Sequence, residues 1–302
     1  FAISTGVQNT IIGGLAGDAL TTGGSNVAFG YNSLSTEDTG ARNTAVGYNS
    51  LKNLNFDGNG YNTAIGYDAG RKLTTGDQNT ILGSLAGDAL TEGDNNIAIG
   101  YVALSSETLG DRNIAIGTGA LAAQNNTSNL DVYNVAVGYN AGNDITTGVR
   151  NTLVGGLAGD ALNTGNFNVA IGYQTLSTED AGNYNTAIGY KALSVQDAGD
   201  AYNTAVGFQA GTAVTTGIEN TLLGGLAGDS LTTGSYNTAV GSRALQAEDA
   251  HGRNVAVGYS SLATLNAAAD AYNVGVGFKA GEVMTTGTNN TLVGGLAGDA
   301  LT

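Results

Sequence analysis

The chain has 302 residues, of which 49 are glycine, 41 % are apolar and only 12 % are charged, a composition typical of repeat proteins. The net charge of −15 argues against a nucleic-acid partner, and the lack of cysteine excludes disulfides and thiolate metal sites. Proline is absent, glycine does not recur at every third position, and no apolar run approaches the roughly 20 residues of a membrane span. We therefore expect neither a collagen helix nor membrane insertion in this segment.

One short motif recurs along the whole chain: Asn, then Thr, Val or Ile, then usually Ala, then a large aliphatic residue, then Gly. It occurs seventeen times, in most cases 17 residues apart. The leading asparagines are Asn9, Asn26, Asn43, Asn62, Asn79, Asn96, Asn113, Asn134, Asn151, Asn168, Asn185, Asn203, Asn220, Asn237, Asn254, Asn273 and Asn290. Self-similarity at such a period predicts a solenoid.

The repeat units also group in fours, which gives a super-repeat of about 70 residues. The blocks start near residues 9, 79, 151, 220 and 290, and each opens with the signature LAGD. The third unit of a block carries the insertions, as in 53–60 and 125–131, which we expect to form outward loops. We predict one continuous repeat shaft over 1–302. Since the chain begins at Phe1 and stops within a motif, we expect it to be a fragment of a longer fibre.

Each motif predicts one short β-strand, because it is rich in β-branched residues and closes with Gly. The fold class expected is an all-β, parallel β-solenoid or β-roll of about seventeen short turns. Alternation places the Ala on one face and its two larger neighbours on the other. A face of small residues suggests close approach of another chain, so we favour a homotrimeric fibre, with a single-chain solenoid as the alternative.

The second half of each unit has two forms. One carries Ala-Gly and then an aliphatic residue three positions on, as in AGRKL at 69–73, and the other carries Leu directly, as in NSL at 32–34. Both should fill the same inward pocket from different turn positions. Gly after each strand and Gly in the TTG segments should have positive φ. The leading asparagines should form a structural ladder along the stack.

The residue after the strand-closing Gly is aromatic in ten units. Such a stripe could stack on sugar rings, or it could be a structural ladder that seals a corner of the solenoid. The stripe comprises Tyr31, Tyr48, Tyr67, Tyr101, Tyr139, Tyr173, Tyr190, Phe208, Tyr259 and Phe278. A second set, which we expect to hold the variable loops in place, comprises Tyr61, Tyr133, Tyr202 and Tyr272.

Other polar motifs give no catalytic or metal site. His251 is the only histidine and falls in a turn, so a triad or a histidine-based metal site would depend on it alone. The string GGLAGDAL at 13–20 resembles a calcium-binding nonapeptide, but it occurs once per block, about 19 Å from the next copy. Threonine arrays, as in ice-binding proteins, are present in only some units.

Pairs of neighbouring acidic residues could suggest general acid and base catalysis. We instead expect them to lie on a solvated edge and to pair with Arg42 and Arg253. The pairs are Glu37/Asp38, Glu179/Asp180 and Glu248/Asp249. We accordingly expect no enzymatic activity, no catalytic residue, no metal and no cofactor.

Runs such as NTAVGYNSL at 43–51, NVAIGYQTL at 168–176 and NTAIGYKAL at 185–193 resemble the glycine-rich repeats of bacteriophage tail-fibre proteins. More distantly, they resemble the head repeats of trimeric autotransporter adhesins. The resemblance covers essentially the whole chain. It implies a trimeric parallel β-roll or β-solenoid shaft, displayed on a virion or a cell surface, that presents binding surfaces to a host.

The function expected is therefore a structural fibre, first of all a phage tail-fibre shaft that contributes to host attachment. The alternative is a bacterial cell-surface adhesin or extracellular filament of the same fold. A depolymerase of host polysaccharide comes last, since it would need carboxylates in a groove between subunits. The expected location is extracellular, on a virion or a cell surface. The expected partners are other copies of the chain and a host-surface glycan.

Overall fold

The computed structural model describes residues 3–301, and every regular element in that range is a β-strand of three residues. No helix among the described residues is long and apolar enough to cross a membrane. The chain forms two compact units, Phe1–Arg150 and Asn151–Thr302, and the second begins where a four-unit block begins.

The first unit contains eight strands. They are β1 (Thr10–Ile12), β2 (Val27–Phe29), β3 (Thr44–Val46), β4 (Thr63–Ile65), β5 (Thr80–Leu82), β6 (Ile97–Ile99), β7 (Ile114–Ile116) and β8 (Val135–Val137). Each strand pairs in parallel with the next along the chain, with equivalent residues of the repeat opposite each other. Successive repeat units therefore stack as successive turns of a solenoid.

The second unit contains nine strands with the same pairing. They are β9 (Thr152–Val154), β10 (Val169–Ile171), β11 (Thr186–Ile188), β12 (Thr204–Val206), β13 (Thr221–Leu223), β14 (Thr238–Val240), β15 (Val255–Val257), β16 (Val274–Val276) and β17 (Thr291–Val293). All neighbours are parallel and in register. The predicted all-β parallel solenoid of about seventeen turns is confirmed.

The middle residue of each strand points into the solenoid. Ala45, Ala98 and Ala205 are completely buried within a single chain. The expectation that the Ala face lies between chains is therefore wrong, because the rest of each turn folds back over that face. The first and third residues of each strand point outward, and we call this surface the outer strand face.

The two forms of the second half-unit fill one interior space. Leu20 and Leu34, which represent the two forms, are both fully buried. Gly17 occupies the position of Leu34 in its own turn, and a Cβ added there would lie 2.9 Å from a methyl carbon of Leu20 and 3.1 Å from one of Ile11. The side chain of Leu20 thus takes the space that a side chain at position 17 would need, as expected.

Glycines meet two different requirements. Gly207, which follows β12, has φ of +144°, and an added Cβ would lie 2.5 Å from the carbonyl oxygen of Gly224 one turn later. Gly76, in a TTG segment, does not have positive φ, so that expectation is wrong. Its Cβ would instead lie 2.5 Å from the carbonyl oxygen of Gly93. Close stacking of turns, rather than the backbone angle, therefore requires glycine at position 76.

Candidate functional site

The asparagine that precedes each strand is a structural element. The Nδ2 group of Asn26 donates to the carbonyl oxygen of Gly40, 2.8 Å away at the far end of the same unit. Its Oδ1 accepts from the backbone N–H of Asn43 at 2.9 Å, in the next turn. Asn168 repeats both bonds, to Gly182 and from Asn185. The amide is thus used in closing its own turn and in joining it to the next.

The aromatic residues after the strands form what we call the first aromatic column. In the first unit, Tyr31, Tyr48 and Tyr67 stack with centroid separations of 5.6 and 5.4 Å and interplanar angles of 16° and 8°. The second unit has two such stacks, Tyr173–Tyr190–Phe208 and Tyr259–Phe278. The rings remain well exposed, up to 61 % at Tyr139.

This stacking restricts what the first aromatic column can bind. Stacked rings cover each other's faces, so mainly their edges and the outer faces of the end rings meet solvent. A sugar that stacks on an aromatic residue needs a free ring face. Within a stack such as Tyr31–Tyr48–Tyr67, the geometry therefore favours the structural ladder over a continuous glycan-binding stripe.

A second aromatic column lies on the opposite side of the strands, formed by the residue just before each leading Asn. All seventeen of these residues have left-handed backbone, with φ between 49° and 65°. The aromatic members are Tyr61, Tyr133, Phe167, Tyr184, Tyr202, Tyr236 and Tyr272. Only Tyr61, Tyr133, Tyr202 and Tyr272 were expected from the sequence, as loop anchors. Reading the residue before Asn in every unit would have found the rest.

The second aromatic column contains both stacked rings and ring–cation contacts. Phe167, Tyr184 and Tyr202 stack with centroids 5.3 and 5.0 Å apart. The Arg253 guanidinium lies 5.1 Å from the ring centroid of Tyr236 and 5.7 Å from that of Tyr272. Such contacts hold a cation over the negative face of each ring.

The arginines do not pair with the acidic pairs, contrary to expectation. Arg42 lies 5.3 Å from the ring centroid of Tyr61 and donates to its hydroxyl group. Arg253 forms its ion pair with Asp270. Among the loop anchors, the Tyr133 hydroxyl donates to Asp131 at 3.3 Å, within the variable loop.

The glutamate of each acidic pair is buried rather than solvated, which corrects the expectation of an exposed edge. Glu37, Glu179 and Glu248 have no exposed surface, and neither has Glu107, at the same position in the second block. The Glu37 carboxylate accepts from the backbone N–H of Gly40 at 2.6 Å and from that of Phe56, in the inserted loop, at 3.1 Å.

These glutamates anchor the inserted loops. Without them, loop N–H groups would be buried with no acceptor. The other three bind the next loop in the same way, through Asn126, Ala198 and Ala267. Burial raises the pKa of Glu37, Glu179 and Glu248 above the ordinary value of 4.5, although backbone hydrogen bonds oppose the shift.

One acidic cluster has the composition of a metal site. Carboxylate oxygens of Glu248 and Asp249 and a ring nitrogen of His251 lie within 4.8 Å of one another. The Glu248 oxygens already accept from the backbone N–H groups of His251 and Ala267, at 3.1 and 3.3 Å. These backbone hydrogen bonds therefore account for the position of the Glu248 carboxylate.

The aspartate of the LAGD signature has a charged partner in the second block. The Asp88 carboxylate lies 3.8 Å from the Arg71 guanidinium.

The outer strand face lies between the two aromatic columns. It consists of Thr, Val, Ile, Leu and Phe side chains and contains no charged residue in any of the seventeen strands. Several of its members are well exposed, among them Phe29 at 50 % and Leu82 at 42 %. Comparisons with protein-family models, with curated proteins and with solved structures find no match to this chain. Its fold and surfaces are therefore the basis for a functional proposal.

Proposed function

We propose that this chain is the shaft of an extracellular, non-enzymatic fibre, first of all a phage tail fibre that contributes to host attachment. The observation that carries the proposal is the uncharged outer strand face, repeated turn after turn between two aromatic columns. A repetitive surface of this kind suits association along its length rather than reaction at one point. The resemblance of the repeats to tail-fibre sequences supports the same role.

The proposed fibre is a homotrimer in which copies pack through their outer strand faces. The contact between copies is assigned to the outer strand face because the Ala face, which was expected at that contact, is buried within each chain. An uncharged surface whose exposed aliphatic side chains recur in turn after turn favours a symmetric partner that covers them. Charged side chains lie outside the strands, where they would keep assembled fibres from adhering to one another.

The substitution Ile188→Glu tests this assembly. Ile188 is the third residue of β11 and half-buried on the outer strand face, so a carboxylate there would enter the contact between copies. We expect the mass measured by light scattering to fall from trimer to monomer, with an unchanged circular dichroism spectrum. Thr216→Glu, at an exposed TTG position, is the matched control and should remain trimeric. A wild-type monomer would refute the assembly.

Electron microscopy of the native assembly tests the fibre role. We expect threefold rotational symmetry and an axial period of about 19 Å for each four-unit block. The second candidate is a bacterial adhesin or extracellular filament of the same fold, which the repeats also resemble. Immunogold labelling separates the two: label on virions supports the tail fibre, and label on cells without virions supports the adhesin.

A further inference from the structure

The first aromatic column is interrupted in the second unit. Phe208 is the last ring of one stack, and Tyr259 is the first ring of the next. In the two turns between them, Gly225 and Ser242 hold the column position. Within residues 151–301, no other ring or cation lies over Phe208 or Tyr259. Each of these two rings therefore has one free face, turned toward the interruption.

The interruption is open space, because no side chain of the column fills it. Gly225 has no side chain, and that of Ser242 is small. Apart from the adjoining residues, a Cβ added at Gly225 would have one atom within 4 Å, the carbonyl oxygen of Phe208 at 3.9 Å. At Gly14, by contrast, the ring of Tyr31 in the next turn lies 3.3 Å from such a Cβ. The turn after Gly225 has no ring to cover the backbone in this way.

The length of this hollow sets the size of a ligand. Phe208 and Tyr259 are three turns apart, which is about 14 Å at the spacing of parallel strands. Contacts of about 3.5–4.0 Å to each ring leave about 6–7 Å between them for a guest. A sugar ring stacked on either face fits within this length and displaces no side chain of the column.

The surroundings have the chemistry of a sugar site. Phe208 is 55 % exposed, and its apolar face can contact the C–H groups of a pyranose ring. The backbone N–H of Leu226 donates to the Phe208 carbonyl oxygen at 2.9 Å, and that of Arg243 to the Gly225 carbonyl oxygen at 3.0 Å. These bonds place an aliphatic side chain and an exposed guanidinium beside the hollow. The guanidinium offers N–H donors to sugar hydroxyl groups.

We propose that this hollow is a binding site for a neutral pyranose ring of a glycan. Phe208 and Tyr259 supply the stacking faces, Gly225 lets the sugar approach the backbone, and Arg243 donates to its hydroxyl groups. The net charge of −15 disfavours an acidic sugar. The inference rests on the proposed function for its role, since attachment to a host requires a ligand on the host surface.

Titration of the full chain with methyl β-D-glucopyranoside, followed by fluorine NMR of 4-fluorophenylalanine labels, tests the site. We expect a saturable shift of the Phe208 signal with Kd on the order of 10 mM, because a single sugar exchanges its hydrogen bonds with water for similar ones. The signal of Phe167, in the second aromatic column, should not move. Sorbitol has similar hydroxyl groups but no ring face and should give no saturable shift. An equal response to the two compounds would refute stacking on the ring.

The variant Gly225→Tyr tests whether the hollow itself binds the sugar. Gly225 does not have positive φ, and an added Cβ has room, so the new ring can continue the stack from Phe208. We expect sugar binding to be lost without a fall in the thermal midpoint. Arg243→Gln introduces the residue that Gln209 places two turns earlier and should weaken binding about threefold. Tyr202→Leu, which alters an exposed ring of the second aromatic column, is the matched control and should leave binding unchanged.

Two results would overturn the proposal. One is full sugar binding by Gly225→Tyr. The other is a saturable shift of the Phe208 signal with p-cresol but none with the sugar, which would assign the hollow to an aromatic side chain of a partner protein. Neither result bears on the fibre itself, because electron microscopy and immunogold labelling measure its symmetry and its location independently.

Discussion

At the scale of single residues, individual side chains hold neighbouring turns together by hydrogen bonds, and the leading asparagines are the main example. Asn203 is completely buried, and its Nδ2 group donates to Gly217 at 2.7 Å and to Gln196 at 2.8 Å. Its Oδ1 accepts from the backbone N–H of Asn220 at 2.8 Å. One amide thus satisfies groups in the preceding turn, in its own turn and in the next.

We predict that Asn203→Ala lowers the free energy of unfolding by about 2–4 kcal/mol, because several buried polar groups lose their partner. Urea unfolding measures the effect. Asn266→Ala is the control: Asn266 is exposed in a loop, and its replacement should change stability by less than about 0.5 kcal/mol. Similar losses in the two variants would show that the asparagine ladder contributes little.

Two glycines with positive φ allow backbone strain to be separated from steric contact. Gly199 has φ of +63° and nothing within 4 Å of an added Cβ, whereas a Cβ at Gly207 would lie 2.5 Å from a carbonyl oxygen. We predict that Gly199→Ala costs about 1–2 kcal/mol and Gly207→Ala more than about 3 kcal/mol. Thermal unfolding of both variants tests this order. A reversed order would mean that neighbouring turns can separate without cost.

At the scale of elements, adjacent strands share interior volume. Ala205 in β12 lies opposite Leu222 in β13, and both are completely buried. The Leu222 side chain also reaches Gly211, where an added Cβ would lie 2.6 Å from one of its methyl carbons. Large and small residues of neighbouring turns therefore complement each other, which explains why the first strand of each block has a large middle residue.

This complementarity predicts coupling between the two strands. Leu222→Ala should cost about 2–5 kcal/mol through the cavity that it leaves, and Ala205→Leu about 1–3 kcal/mol through overpacking. In the double variant, the added leucine can fill part of the cavity, so its loss should be smaller than the sum of the two. A double-mutant cycle in urea measures the difference, and strict additivity would contradict the shared interior.

At the scale of the whole molecule, acidic groups link stability to pH. Burial is the largest cause of the raised pKa in Glu37, Glu179 and Glu248, and also in Asp88 and Asp229. A raised pKa means that the folded chain binds more protons than the unfolded chain at the same pH. Stability therefore increases as the pH falls.

We predict that the thermal midpoint rises between pH 7 and about pH 4.5, where the unfolded glutamates begin to protonate. The contribution is fully present below the ordinary pKa of 4.5 and is lost as the pH rises through the folded value. Circular dichroism at a series of pH values measures it. Glu179→Gln should reduce the slope, because it removes one of the titrating groups. A midpoint that falls on acidification would contradict the direction of these shifts.

Periodicity made much of this fold predictable. The seventeen motifs located every strand, and the two forms of the half-unit identified the buried leucines. Both depend on local residue order, which recurs with each turn. The buried glutamates were not predicted, since their acceptor role depends on N–H groups of a loop about 19 residues later, such as that of Phe56 with Glu37.

The sequence by itself determined the turn length, the parallel register and the positions of the strands, because those follow from spacing along one chain. Only the tertiary structure decided which strand face is interior, since alternation defines two faces but not which one the rest of the turn covers. It also decided that Phe208 and Tyr259 each keep one free ring face, because spacing along the chain does not fix how side chains stack.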